Sequence, residues 1–295
     1  MHGTQASVRP AGRFPAALGE PELDPAWLPW VRLLDLALAS ARDPSGPGTV
    51  TLAPDRPADA PLLHGATVRV DSRRLRQLMR ALLREAARLA PVTDEQAAEA
   101  GRLERPGPQR RRLESLGIAR AAIVHDADSI DRLAAAAGIN AGRLAVVAQL
   151  AVVPLLSASA TRFRDQISAT WLHGYCPICG AWPALAETRG LDRSRRLRCG
   201  RCSSDWAIPV LRCPYCDEMR HAQLHALVPE ADEHTRRVDV CETCKGYVKT
   251  FATLQALPFR SLATMDLATV ELDIMAQDRG YARPSHVAYP MTLTT

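Results

Sequence analysis

Four Cys-x-x-Cys pairs between Tyr175 and Lys249 constrain this chain more than any other feature. They contain all 8 of its cysteines. The pairs are Cys176/Cys179, Cys199/Cys202, Cys213/Cys216 and Cys241/Cys244. Four cysteine thiolates are the usual ligands of a closed tetrahedral metal site. The sequence therefore predicts two metal ions per chain, held by these eight cysteines.

The order of the pairs allows two groupings. In the sequential grouping the first two pairs hold one ion and the last two pairs hold the other. In a cross-brace the first and third pairs share one ion, and the second and fourth pairs share the other. Sequential grouping closes shorter loops, which costs less chain entropy. We therefore favour it, with the cross-brace as the alternative.

Two residues between paired cysteines give a sharp turn in which backbone N–H groups can point at the sulfur atoms. Gly180 and Gly246, which follow the first and fourth pairs, suit the positive φ angles of such turns. Four thiolates suit zinc or iron about equally. Zinc in such a site would be structural, whereas a single iron would be rubredoxin-like and able to cycle by one electron. The residues alone leave both metals open.

The N-terminal region contains Arg9 and Arg13 but no apolar run typical of a secretory signal. The most apolar stretch, 144–156, is too short to span a bilayer and predicts a buried helix that Pro154 kinks or ends. We therefore expect a protein of a reducing compartment with no transmembrane segment. In a reducing compartment, paired cysteines are more often metal ligands than disulfides. Four disulfides remain the minor alternative, and no histidine is needed as a ligand.

The region before the cysteines has the pattern of an amphipathic helical body. Apolar residues recur every three or four positions after Asp71 and again after Asn140, whereas residues 43–60 and 101–108 are rich in proline and glycine and predict loops. No hairpin signal appears before Tyr175. After it, short strand patterns alternate with turns, as in small metal ribbons. The helical body has its own apolar faces, so we expect it to stay folded when the first metal site is lost and its ribbon loosens.

The predicted fold class is α+β: an all-helical N-terminal domain, two rubredoxin-like or zinc-ribbon-like four-cysteine modules and a C-terminal helix. The predicted parts are a flexible tail over 1–22, a helical domain over 23–172, a first ribbon over 173–210, a second ribbon over 211–257, and a C-terminal helix and tail over 258–295.

Arginines are concentrated within the first ribbon, and the chain carries a net charge of +5. The run comprises Arg189, Arg193, Arg195, Arg196, Arg198 and Arg201. One hypothesis makes it a docking rim that steers an acidic partner. The alternative is a zinc-ribbon protein that binds nucleic acid, although few aromatic residues are present for base stacking. A thioredoxin-like enzyme would need a βαβ setting that the pattern lacks.

The motifs resemble the FdhE-type formate dehydrogenase accessory proteins. The resemblance rests on the stretches Gly174–Gly180, Leu197–Cys202, Arg212–Cys216 and Val240–Lys249, and on the ending Asp266–Thr269 with Gly280–Tyr281. It is strong over 142–283 and weaker in the helical region. The proline- and arginine-rich loops at 43–60 and 101–112 depart from the family pattern.

The resemblance implies a cytoplasmic protein that active formate dehydrogenase requires and that binds its catalytic subunit. It also implies rubredoxin-like iron at the eight cysteines and no enzymatic activity of the protein's own. No catalytic or other cofactor-binding residues are predicted, and we expect no specific nucleic-acid partner. The sequence permits a homo-oligomer.

Overall fold

The computed structural model describes residues 23–42, 48–89, 114–229, 235–285 and 289–295. The tail expected over 1–22 and the break expected at 101–108 lie outside these residues. The α-helices are α1 (Leu28–Ala41), α2 (Ser72–Ala86), α3 (Ser115–Ile123), α4 (Ala127–Ala137), α5 (Ala141–Phe163), α6 (Phe259–Ala268) and α7 (Val270–Gln277). The strands are β1 (Gly48–Thr51), β2 (Thr67–Val70), β3 (Leu185–Arg189), β4 (Ser194–Arg198), β5 (Asp205–Ala207), β6 (Leu224–Leu227), β7 (Arg236–Cys241), β8 (Tyr247–Thr253) and β9 (Thr292–Thr294).

Helices α1 to α5 pack as a helical body around α5, and their starts follow from side-chain caps. Asp71 accepts hydrogen bonds from the backbone N–H groups of the first turn of α2. Asp126 and Asn140 cap α4 and α5 in the same way. Gly138 ends α4 at a φ of 64°, which a residue without Cβ adopts at little cost.

The region before the cysteines is not wholly helical, which corrects the expectation drawn from its sequence. Strands β1, β2 and β9 form a small sheet, with β1 antiparallel and β9 parallel to β2. Strand β1 lies within the loop expected over 43–60. The pattern could not show this sheet, because β9 comes from the end of the chain and each strand is only three or four residues long.

Helix α5 continues through Pro154 instead of ending there. The proline removes one backbone hydrogen bond, but burial of Val153, Leu155 and Leu156 around it offsets that loss. By length and composition the stretch Ala141–Gln166 could cross a membrane, with a mean hydropathy of 1.9 in its most apolar window. That window is 61% buried inside the molecule, as expected for the core helix of a folded body.

The two four-cysteine ribbons share one six-stranded sheet in the order β5-β4-β3-β8-β7-β6. Each ribbon contributes an antiparallel meander of three strands. The meanders are joined where β3 runs parallel to β8, with Ala186 opposite Thr250. The two ribbons are therefore one continuous β unit.

The two ends of this sheet are covered differently. All four cysteines of the first ribbon belong to the same buried apolar cluster as the core residues of α5, so this core runs without a break from the helical body into the first ribbon. The second ribbon packs one face against α6 and α7, where Leu262 and Leu272 meet Val238 and Phe251.

Candidate metal centres

The structure brings the eight cysteines together in two sets of four. The first centre comprises Cys176, Cys179, Cys199 and Cys202, and the second comprises Cys213, Cys216, Cys241 and Cys244. Within each set the sulfur atoms all lie within 4.8 Å of one another. The sets follow the sequential grouping and not the cross-brace.

The sulfur spacing fits a tetrahedral metal site. Across the first centre, Cys176 Sγ lies 3.5 Å from Cys202 Sγ, and Cys179 Sγ lies 3.5 Å from Cys199 Sγ. The corresponding distances across the second centre are 3.7 Å. Four sulfurs at about 2.3 Å from a central ion would be about 3.8 Å apart. Each set could therefore hold one metal ion with little rearrangement.

The four cysteine turns share one backbone signature. The residue directly after the second cysteine of each pair has a left-handed φ: 76° at Gly180, 68° at Ser203, 60° at Asp217 and 55° at Lys245. Gly180 is as predicted, but at the fourth turn the left-handed residue is Lys245 and not Gly246. Gly246 is required for space, because a Cβ there would lie 2.6 Å from Tyr215 Cδ2.

Backbone N–H groups point at the sulfur atoms in both centres. In the first, the N–H groups of Arg201 and Cys202 each donate to Cys199 Sγ over 3.4 Å. In the second, the N–H of Tyr215 donates to Cys213 Sγ over 3.5 Å, and that of Gly246 to Cys244 Sγ over 3.4 Å. Such donors stabilise the negative charge of thiolate ligands.

The thiols of an ion-free cluster resist full ionisation. Burial raises the pKa of Cys176 well above its usual value, whereas hydrogen bonds from neighbouring sulfurs lower the pKa of Cys179. In the second centre, burial raises the pKa of Cys244 to about 11. A divalent ion would supply the positive charge that displaces the remaining protons.

Burial distinguishes the two centres. All four cysteines of the first centre are buried, in the same apolar cluster as Ile178 and Trp206. In the second centre Cys216 and Cys244 are exposed, whereas the other two cysteines are buried. One centre thus lies inside the molecule and the other reaches its surface.

Histidines take no part in either sulfur cluster among the described residues. His173 stacks on the ring of Tyr175 with centroids 4.9 Å apart, and its backbone carbonyl accepts a hydrogen bond from Trp206 Nε1. His221 and His225 lie exposed near the second centre. His234 lies outside the described residues.

The arginine run of the first ribbon is not an exposed rim, which corrects the docking hypothesis. Arg198 is 2% exposed and pairs with the fully buried Glu187. Arg195 is 5% exposed and bonds the carbonyl of Arg212 over 2.8 Å. Residues alternate between the two faces of a strand, and here both faces of β4 are covered.

The other arginines of the run are also largely engaged. Arg189 and Arg196 both reach Asp205. Arg201 donates to the carbonyl of Ala122 over 2.8 Å and so joins the ribbon to the helical body. Of the six, only Arg193 is exposed. Most of the run therefore stabilises the fold and cannot form a free cationic surface.

The two ribbons touch beside the cysteines, which no sequence pattern indicated directly. A Cβ on Gly174 would lie 1.6 Å from the backbone oxygen of Pro214, so the chain entering the first centre touches the first turn of the second. The ring of Trp182 meets that of Tyr215 edge-on, with centroids 5.4 Å apart. A glycine and aromatic residues beside the cysteines were the only available signal.

Comparison with known proteins gives a consistent match to one family. Residues 211–289, which include the second ribbon and the C-terminal helices, match the family model described as FdhE, C-terminal domain. The chain is 28% identical over 130 residues to an FdhE homolog of Aquifex aeolicus, covering 41% of this chain and 44% of that protein. It is 33% identical over 111 residues to an FdhE homolog of Stutzerimonas stutzeri, covering 37% and 35%.

These alignments span less than half the length of each curated relative. The match to Protein FdhE of Escherichia coli K12 is similar, at 28% identity over 116 residues, 38% of this chain and 36% of that protein. The fold resembles the crystal structure of the FdhE protein from Pseudomonas aeruginosa, with a TM-score of 0.52, 22% identity and 88% of each chain covered. The domain match and the curated relatives support the FdhE family for this chain, and the solved structure shows the same fold.

Proposed function

We propose that this protein is an accessory factor for formate dehydrogenase. It holds one metal ion in each four-cysteine centre and docks on the catalytic subunit through the surface around the second centre. It acts in the cytoplasm and catalyses no reaction of its own. Similarity to the FdhE family supports the general role, and the burial of the two centres supports the assignment of the docking surface.

The observation that carries the docking assignment is the apolar surface around the second centre. Val210, Leu211 and Met219 are 59%, 51% and 61% exposed. They lie close in sequence to Cys213 and Cys216, and Cys216 is itself exposed. Exposed apolar residues grouped around a polar or metal site are typical of protein interaction surfaces. In the first centre all four cysteines are buried, so none of its sulfur atoms lies at such a surface.

We propose iron as the metal, on the resemblance to rubredoxin-like sites, and the sulfur spacing suits zinc equally well. Bound iron would add a one-electron couple, whereas zinc would serve only the fold. The residues of the chain hold the ion with four sulfurs, donate backbone N–H groups to them and, at the second centre, leave Cys216 and Cys244 open to a partner.

The nucleic-acid alternative loses its main support. It depended on the arginine run, and those side chains are mostly engaged in ion pairs and carbonyl contacts within the fold. A protein that binds phosphates through the ribbon needs free guanidinium groups there. Any affinity for DNA or RNA should therefore be weak, sensitive to salt and independent of base sequence.

A genetic experiment tests the general role. A strain that lacks this protein should make the formate dehydrogenase polypeptide without its activity, and the wild-type gene should restore that activity. Metal analysis of anaerobically purified protein then distinguishes iron from zinc. Normal formate dehydrogenase activity in the deletion strain, with no second copy of the gene, would reject the proposal.

A binding experiment tests the docking surface. Met219→Glu places a charge beside Cys216 at an exposed position, so it should weaken capture of the catalytic subunit about tenfold without unfolding the protein. Leu191→Glu is the matched control, because Leu191 is 75% exposed in the turn between β3 and β4. Equal loss in both variants, or none in either, would place the interface elsewhere.

A further inference from the structure

A cleft of about 300 Å³ opens beside the second centre. One wall is the segment that joins the two ribbons, residues 210–215, and the other is the face of the sheet turned away from α6 and α7. Arg237, Asp239 and Val248 lie on this face, because they alternate with Val238 and Lys249, which face the helices. The volume is at the lower end of small-ligand sites, which span about 300–1,000 Å³.

One end of the cleft is cationic. Arg195 Nη2 lies 3.2 Å from Asp239 Oδ2, and Arg237 Nε lies 2.6 Å from Asp239 Oδ1. Thr250 Oγ1 also donates to Asp239 Oδ2, over 2.7 Å. Two guanidinium groups therefore share a single carboxylate, which leaves an excess of positive charge on this wall.

Arg195 also carries a buried donor that the protein leaves unsatisfied. The residue is 5% exposed, and its Nε–H has no hydrogen-bond partner among the described residues. Its Nη1 donates to the carbonyls of Arg212 and Val210, over 2.8 and 3.3 Å. A buried donor without a partner is costly, and an acceptor from a bound ligand would relieve that cost.

The remainder of the cleft is lined mainly by apolar side chains, together with His221, His225, Arg212 and Tyr215, and its far end is formed by the second centre. Val210, Leu224, Ala226 and Val248 line the middle, and Cys213 and Cys241 line the far end. Cys241 lies four positions after Arg237 on β7, a distance of about 13 Å at the strand's rise per residue. A metal ion with four thiolates would be negative overall, so an anion would bind at the arginine end.

We infer that this cleft binds a carboxylate with an apolar body. The carboxylate would lie against Arg195 and Arg237, since paired guanidinium donors suit its two oxygens. The apolar part would extend along Val210 and Val248 toward the second centre. Either a small organic acid or the free C-terminus of an apolar peptide carries this chemistry. Binding of a carboxylate in this cleft does not depend on the proposed role in formate dehydrogenase assembly.

Titration calorimetry with the full-length, metal-loaded protein tests the inference. The probes are hexanoate and its amide hexanamide, and the peptide Ala-Leu-Val-Leu with a free or an amidated C-terminus. The acids should bind with a Kd on the order of 1 mM or tighter, and each amide at least about tenfold more weakly. Hexanoate binding would assign a small-acid site, and binding of the free peptide alone would assign a C-terminus site.

Two variants locate the binding. Arg237→Gln should weaken binding of the acids at least about tenfold. Arg236→Gln removes the same charge from the neighbouring position of β7, which faces Glu271, and should leave binding unchanged. Leu211→Glu adds a negative charge at an exposed position of the lining, so it tests the site even if Arg237→Gln fails to fold. Equal affinity for acid and amide, no saturable binding of either acid, or equal loss in both arginine variants would overturn the inference.

Discussion

The two metal centres have the same local design but opposite surroundings. In both, a left-handed residue follows the second cysteine of each pair, and backbone N–H groups point at sulfur. The first centre is wholly buried in the core that it shares with the helical body. The second has two exposed cysteines and a cleft at its side. Identical turns can therefore serve two different purposes, and the packing around them decides which.

The difference follows from what covers each ribbon. The helical body lies over the first centre and leaves it no contact with solvent, so an ion there would hold the fold together. Helices α6 and α7 cover only one face of the second ribbon and leave its sulfur-bearing end free. An ion there would also shape a surface that a partner can reach. The predictions below test this contrast, from the largest expected effect to the smallest.

Loss of a cysteine should be far more damaging in the first centre than in the second. Cys199→Ser should lower the free energy of unfolding by about 4 kcal/mol or more, because it removes an ion from inside the main core. Cys216→Ser should lose the second ion but leave the helical melting transition almost unchanged. Thermal unfolding followed by far-UV circular dichroism measures both.

This expectation reverses the one drawn from sequence, in which the helical body survives loss of the first ribbon. The continuous core between α5 and the first centre is the reason for the change. Intact helical signal in Cys199→Ser, with the first ion gone, would show that the body and the ribbon are energetically separate after all.

The second prediction concerns the arginine run. Arg198→Ala removes one of the two cationic partners of the fully buried Glu187 carboxylate, the other being Arg189, so it should lower the free energy of unfolding by about 2 kcal/mol. Arg193→Ala, at the exposed arginine of the same run, should change it by less than about 0.5 kcal/mol. Denaturant unfolding of the two variants compares them directly. Equal, small effects would restore the docking-rim hypothesis.

The third prediction concerns the anchor of the C-terminal helices on the second ribbon. Burial alone would raise the pKa of Asp273, but the hydrogen bond from Lys249 Nζ at 2.7 Å and the charge of Arg283 outweigh it and hold the pKa below its usual value of 3.8. A lowered folded pKa contributes stability that is present above the unfolded pKa and is lost as pH falls through the folded value.

The protein should therefore lose stability contributed by this group as the pH falls below about 4. Asp273→Asn should flatten that part of the stability profile, whereas Asp278→Asn at the end of α7 should not. Denaturant unfolding between pH 5 and pH 2.5 measures the slope. Identical slopes in the wild type and in Asp273→Asn would show that the contacts of Asp273 with Lys249 and Arg283 do not cause this pH dependence.

The sequence predicted the parts of the molecule that local chemistry determines. Eight cysteines at fixed spacing indicated two four-sulfur sets, and loop length favoured the grouping that the structure has. The helix starts at Asp71 and Asn140 were also visible, because a capping side chain acts within three residues of its own position. The α+β class followed from the change of pattern at Tyr175.

What the sequence could not show depends on contacts between distant residues. The pairing of β3 with β8 joins strands from different ribbons, and β9 pairs with a strand near the other end of the chain. The arginine run resembled a free surface because its partners, among them Asp239 and the carbonyl of Leu257, lie far along the chain. Lys245 adopts a left-handed φ because the metal turn requires it, although Gly246 has the higher preference.

The most direct test of the contrast between the two centres is the release of metal into a strong chelator, followed by elemental analysis of the protein over time. Folded, anaerobically prepared protein should begin with about two ions per chain. One ion should leave at least about tenfold faster than the other, and its loss should expose Cys213, Cys216, Cys241 and Cys244 to alkylation while the first four cysteines stay protected. Release of both ions in a single phase, or fewer than two ions in the folded protein, would contradict the account.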